Sequence, residues 1–134
     1  MAKQLSENCV YTALAKTRLD EFESSESVTV GSRWVKAERL LEKIKNSEIV
    51  MPVLFSDASA DMTNLYYWAI LTDIQVGESE TNYRFEGLSR LDKGHKKQDL
   101  ILLSTGRTIA PGFIKAYAVC KTPAWLDKLA ETLS

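Results

Sequence analysis

The 134-residue sequence has few of the residues that build metal centres or disulfide frameworks. It contains two cysteines, Cys9 and Cys120, and one histidine, His95. Neither cysteine has a neighbour at metal-ligand spacing, and one histidine cannot supply a multi-histidine site, so we predict no metal and no cofactor. Each cysteine lies in an apolar stretch, where a free thiol is usually a small buried side chain.

The sequence also has no run of about 18 apolar residues, which excludes a transmembrane helix. Its polar N-terminus has no apolar core of the kind found in signal peptides. The chain is 45% hydrophobic and 26% charged, which is ordinary for a globular protein and excludes wholesale disorder. We therefore expect a single domain over residues 1–134, cytoplasmic and without contact to a membrane.

The charge is unevenly distributed although the net charge is only −1. Residues 1–83 carry 8 basic and 13 acidic side chains, whereas residues 84–121 carry 8 basic and 3 acidic ones. This asymmetry has two interpretations: the basic part binds an anionic partner, or the two parts attract each other within one fold.

Three segments have the apolar spacing of helices. Residues 4–22 place Val10, Tyr11 and Leu14 on one stripe, which predicts a first helix that is either part of the domain or a peripheral extension of it. A second helix is predicted from Ser32 to about Lys45, with a stop at Asn46. A third helix should follow Thr122 and Pro123, since proline is favoured at a first helical position.

The segments between the second and third helices have the pattern of β-strands, with apolar runs and a period of two. Pro52 lacks a backbone donor, which predicts an edge strand or a bulge around it. Successive strands without intervening helices favour antiparallel pairing. The predicted fold class is α+β: a mainly antiparallel curled sheet or small open β-barrel of five to six strands, two N-terminal helices and one C-terminal helix. The predicted strands are 28–30, 49–55, 65–76, 81–91, 99–104 and 113–120.

The order of elements over residues 32–125 resembles that of the PUA-like superfamily of small β-barrels, which includes the ASCH and EVE domains. The resemblance lies in the helix at 37–45, the turn at Asn46-Ser47, the strand at 49–55 and the aromatic-rich strand from Leu65. It implies a cleft on the barrel that binds RNA or modified nucleobases. The Gly-x-Lys-x-x-Glu-x-Arg pattern of ASCH domains is absent at residues 46–53, so the resemblance assigns no catalytic residue.

The candidate ligand-binding residues are aromatic and basic side chains of residues 66–115. Aromatic faces can stack on nucleobases, and lysine or arginine can contact phosphate. Each group also has a purely structural interpretation. The aromatic residues can belong to the core, residues 93–97 can form a solvated basic loop, and residues 104–108 can form a hairpin turn. The candidates are Tyr66, Trp68, Arg84, His95, Lys96, Arg107 and Lys115.

Three hypotheses for function follow from these features. The first is a binding module for an anionic ligand, such as RNA, DNA, a nucleotide or a modified base. The second is a small hydrolase that uses Asp57 or His95, with Asp61 and Asp73 as further carboxylates near the core strands. The third is a protein-interaction or homo-oligomerisation domain that binds through the first helix. We favour the first, since no catalytic cluster is evident.

Overall fold

The computed structural model describes residues 4–22, 26–58, 64–91, 95–109 and 117–132. These residues form seven strands and three α-helices. The strands are β1 (Gln4–Leu5), β2 (Asn8–Leu14), β3 (Glu26–Val30), β4 (Ile49–Asp57), β5 (Leu65–Val76), β6 (Thr81–Arg90) and β7 (Tyr117–Lys121). The helices are α1 (Lys16–Glu21), α2 (Val35–Ile44) and α3 (Ala124–Thr132).

The strands form one mixed sheet in the order β3-β6-β5-β4-β2-β7, with β1 paired to β4. In the described residues this sheet does not close on itself. The α+β class is confirmed, but the pairing is less antiparallel than the sequence predicted, because both β1 and β2 run parallel to β4. The crossover from β2 to β4 includes α2, and a crossover of this kind permits parallel pairing.

The predicted helix at residues 4–22 is wrong. Most of this segment forms β1 and β2, and only residues 16–21 are helical. Every residue from Cys9 to Leu14 is buried, because β2 lies between β4 and β7 and has a packed layer on each face. A strand buried on both faces has no alternating pattern, and its apolar run happened to match helical spacing. The segment is therefore an inner strand and not a peripheral extension.

Of the two outcomes predicted for the strand around Pro52, the edge position is wrong, since β4 pairs with β5 on one side and with β1 and β2 on the other. The other outcome, a bulge, is present in the pairing of β4 with β5, where the register shifts between Phe55 and Ser56. The carbonyl of Val50 accepts the Ser6 N–H at 2.7 Å. Residues two apart in a strand point their backbone groups to the same side. The Pro52 nitrogen thus faces the break between β1 and β2, where no donor is required.

The later elements agree with the sequence in part. Helix α2 and strands β5 and β6 lie where they were predicted. The predicted strand at 99–104 is instead a 3₁₀ turn at Lys97–Asp99 followed by isolated bridges at Ile101 and Leu102. Strand β7 covers the end of the predicted strand at 113–120, and residues 113–116 lie outside the described part of the chain.

The sheet has a packed layer on each face. On the inner face, strand residues such as Val53 and Phe85 pack with Leu19 of α1 and Leu41 of α2. On the outer face, residues such as Leu54 and Trp68 pack with Leu126 of α3. Each of the three helices thus has at least one buried side chain against the sheet.

Trp34 packs between two strands from opposite parts of the sheet. Its ring stacks on Tyr83 of β6 at 4.4 Å and on Tyr117 of β7 at 4.8 Å, both measured between ring centroids. Its backbone N–H donates to Thr81 Oγ1 at 2.9 Å, and its indole N–H donates to Ser32 Oγ at 3.2 Å. Since β6 and β7 are far apart in the strand order, a common contact on Trp34 requires the sheet to curl around it.

Helix α1 is attached to the rim of the curled sheet by polar contacts. The Asp57 carboxylate accepts the Lys16 N–H at 3.0 Å. Asp20 accepts a hydrogen bond from the Tyr67 hydroxyl and another from Lys16 Nζ. These two hydrogen bonds hold the pKa of Asp20 below its usual range.

We expect Trp34→Ala to lower the free energy of unfolding by about 3–5 kcal/mol, because it removes a large buried ring and two stacking contacts. Trp34→Phe keeps one ring in place and should cost less. Urea denaturation followed by circular dichroism measures both. A loss below about 1 kcal/mol in Trp34→Ala would contradict the role given to the stack.

Asp20 should make stability depend on pH at the acidic end. Its pKa is lowered in the folded state, so its contribution is complete above the unfolded value of 3.8 and is lost as the pH falls through the folded value. The urea midpoints of the wild type and Asp20→Asn should therefore differ most near neutral pH and converge below pH 3.8. Glu21→Gln, on the exposed side of the same helix, is the control. A gap that widens in acid would contradict the argument.

Candidate ligand-binding site

The beginning of β5 is the place where the structure collects several predicted site residues. The Leu65 N–H donates to the carbonyl of His95 at 2.9 Å, and Asn64 forms a β-bridge with Lys96. The Leu91 N–H donates to the carbonyl of Tyr66 at 2.8 Å. Residues about thirty positions apart in the chain thus meet at one end of one strand.

Tyr66 and Trp68 differ in their accessibility. Phe55 pairs with Tyr67 and Ser56 pairs with Leu65, which leaves Tyr66 as an extra, bulged residue of β5. A bulge changes the direction in which a side chain projects, and Tyr66 is half-buried. Trp68 is 5% exposed and packs in the outer layer. Its ring therefore has almost no free face for a ligand.

His95 stacks on Trp125, the second residue of α3. The ring centroids are 3.8 Å apart and the planes differ by 19°. Both residues are half-buried, and the next residue, Lys96, is exposed. The neighbouring Leu126 is fully buried and fixes the beginning of the helix to the outer layer. We call His95, Lys96 and Trp125 the stacking platform.

Arg84 lies elsewhere. Arg84 lies six positions before Arg90 on β6, and Arg90 is the β6 partner of Tyr67. Six residues of a strand span about 20 Å, which separates Arg84 from the beginning of β5. Its side chain lines a polar hollow of about 350 Å³ beside Glu26 and Glu86. The two carboxylates oppose binding of an anion there.

Arg107 lies in an exposed turn, where its N–H donates to Thr105 Oγ1 at 3.2 Å and Gly106 adopts a φ of 71°. This geometry confirms a hairpin-like turn in place of a phosphate cradle. Through its backbone partner Leu102 the turn lies beside β7. Lys115 and the carboxylate of Asp61 lie outside the described residues.

The buried carboxylate of Asp57 holds the beginning of α1 through its hydrogen bond with the Lys16 N–H. The Asp73 carboxylate is bound at 3.1 Å by the ammonium group of Lys45, the residue that follows α2. Both carboxylates therefore have structural partners. In the described ranges, no group of three or more histidine, cysteine, aspartate or glutamate residues is arranged to hold a metal ion.

Trp125 is the residue of the platform that the sequence did not single out. Its position fitted the buried stripe of α3, and only its contact with His95, thirty residues earlier, gives it a second role.

No helix in the part of the chain that the structure describes is long and apolar enough to cross a membrane.

Cys9 and Cys120 form a cross-strand pair inside the molecule. They lie opposite each other on β2 and β7, and both are fully buried free thiols, as the sequence predicted. Burial raises the pKa of the Cys120 thiol to about 12 and raises that of Cys9 as well. The thiolate, which is the reactive form, is therefore suppressed at both positions.

We expect neither thiol to react with a water-soluble disulfide reagent at pH 8 in the native protein, and both to react at once in denaturant. Release of the coloured thiol product measures the reaction. Rapid reaction of one cysteine under native conditions would show that this part of the sheet is accessible, contrary to its packing.

Comparison with protein-family models, curated proteins and solved structures gives no match. The function is therefore argued from the geometry and chemistry of the stacking platform itself.

Proposed function

We propose that the protein is a binding module for a nucleotide or for single-stranded nucleic acid, and that the stacking platform is its binding site. The observation that carries the proposal is the near-parallel stack of His95 on Trp125 with both rings half-exposed. Two rings already in contact present a rigid flat surface, and an incoming base can extend the stack without ordering a flexible side chain.

Stacking supplies affinity that depends little on the identity of the base. Every nucleobase has a π-face, and one base–aromatic stack contributes about 1–3 kcal/mol. Tyr66 follows Leu65, whose N–H donates to the carbonyl of His95. A ligand with a base therefore fits this surface better than a purely ionic one.

Lys96 supplies the positive charge for the phosphate of such a ligand. Its side chain is exposed, and it follows His95 directly in the chain. One lysine releases few counterions on binding, so affinity should decrease only moderately with salt. This expectation separates stacking from nonspecific attraction to a basic surface, which decreases steeply with salt.

We further propose that the curled sheet is a PUA-like open barrel. The curl around Trp34, the helix α2 on the inner face and the aromatic strand β5 support this assignment. In that superfamily a cleft on the barrel binds RNA or modified bases, the same ligand class as the one proposed for the stacking platform.

The test is a fluorescence-anisotropy titration with short labelled RNA and DNA strands at low salt. His95→Ala removes one ring of the stack and should weaken binding about tenfold or more. Lys96→Gln should weaken binding less, and it should reduce the slope of log affinity against log salt by about 0.7. Lys36→Gln, an exposed lysine on α2, removes the same charge elsewhere and should bind like the wild type.

Absence of binding to RNA, to DNA and to mononucleotides at low salt would overturn the proposal. An equal loss in Lys36→Gln and Lys96→Gln would also overturn it, because the effect would then come from net charge alone. Circular dichroism of each variant verifies that it is folded before the titration is interpreted.

A further inference from the structure

A cleft of about 380 Å³ lies between helix α2 and the segment that contains β1 and the beginning of β2. Volumes of about 300–1,000 Å³ are typical of sites for small molecules. None of the residues that line the cleft belongs to the stacking platform, so it is a separate candidate site. Both sides contribute side chains, among them Gln4, Ser6 and Asn8 from the strand segment and Leu40, Lys43 and Ile44 from the helix.

The strand side of the cleft is fixed in position by hydrogen bonds to the backbone. The Ser6 N–H donates to the carbonyl of Val50 on β4 at 2.7 Å. Thr122, two residues before α3, donates its hydroxyl to the carbonyl of Ser6 and its N–H to the carbonyl of Glu7. The helix side is fixed because α2 packs on β5 and β4. The cleft is therefore part of the packed fold, and a ligand meets walls that need no ordering.

The apolar part of the cleft consists of aliphatic side chains that the fold leaves half-buried. Leu40 and Ile44 lie one turn apart on α2, and Ile49 is the first residue of β4. Part of the surface of Leu40 and Ile44 packs against the inner core. An aliphatic group placed in the cleft covers apolar surface that remains exposed, which is favourable because it removes that surface from water.

The polar part of the cleft carries opposite charges on its two sides. Lys43 lies on the helix side and Glu7 on the strand side, and both are exposed. The strand side also presents the carboxamides of Gln4 and Asn8, each of which has a carbonyl acceptor and an NH₂ donor. A ligand in the cleft therefore meets a cation, an anion and hydrogen-bonding groups that suit either charge.

We propose that this cleft binds a free aliphatic amino acid, for which leucine is the probe. The ligand carboxylate faces Lys43, the ammonium group faces Glu7, and the aliphatic side chain packs on Leu40 and Ile44. A purely apolar ligand would leave both charges without a partner, and a simple ion would leave the aliphatic wall exposed, whereas an amino acid supplies a partner for each. The proposal does not rest on the function assigned to the stacking platform.

The test is a titration of isotope-labelled protein with L-leucine, followed through the backbone amide signals in two-dimensional NMR spectra. The signals of residues 4–8 and 40–49 should move along one saturable curve, and those of His95 and Trp125 should not move. Three analogues each lack one group: glycine lacks the aliphatic side chain, isocaproate lacks the ammonium group and isoamylamine lacks the carboxylate. Glycine should bind at least about tenfold more weakly than leucine, and the other two about fivefold more weakly.

Two variants assign the charges. Lys43→Gln should weaken leucine binding about fivefold and leave the affinity for isoamylamine unchanged, because that amine has no carboxylate. Glu7→Gln should weaken leucine binding by a similar factor and leave the affinity for isocaproate unchanged. Lys36→Gln on α2 and Glu21→Gln on α1 remove the same charges outside the cleft and should bind leucine like the wild type.

Four outcomes would overturn the proposal. The first is the absence of a saturable change at residues 4–8 and 40–49 on addition of leucine, and the second is glycine binding as tight as that of leucine. The third is a similar weakening in Lys43→Gln and Lys36→Gln, which would reflect net charge alone. The fourth is signal changes that follow the protein concentration instead of leucine, since a second copy would then occupy the cleft. His95→Ala should bind leucine like the wild type, so failure of the nucleic-acid proposal is measured separately.

Discussion

The stack of Trp34 between Tyr83 and Tyr117 connects strands that the hydrogen-bond ladder leaves far apart. Without this contact, the path from β6 to β7 would be a twisted ribbon with an exposed inner face. With it, the sheet encloses an aromatic core that α1 and α2 cover. The Ala37 N–H, in the first turn of α2, donates to the Tyr117 hydroxyl at 3.3 Å, so the same tyrosine also fixes the helix that follows Trp34.

The curl gives the sheet an outer and an inner face that differ in what they hold. Outside, α3 and the segment after β6 bring Trp125 and His95 into contact. Inside, the tyrosine that stacks on Trp34 has a buried hydroxyl with no hydrogen-bond partner among the described residues. The stack of Tyr83 on Trp34 thus holds the curled sheet together and also buries the Tyr83 hydroxyl.

Sequence patterns located the elements that are buried on one face. Helix α2 has one apolar stripe and begins and ends close to its predicted bounds, and Asn46 after it adopts the positive φ of a helix stop. The patterns failed where burial is two-sided. In β2 the run from Cys9 to Leu14 carries no period, and a neighbour on each side decides its conformation. Pro52 does not mark a sheet edge for a related reason, since the gap that its nitrogen faces lies between β1 and β2.

The sequence by itself determined the α+β composition and the two buried thiols. The partners of each residue were decided only by the tertiary structure. It buried Trp68, placed Arg84 beside two glutamates and Arg107 in a turn beside β7, and stacked His95, the neighbour of Lys96, on Trp125. The physical reason is that local propensity acts over a few residues, whereas a binding surface is built by strand pairing between residues distant in the chain.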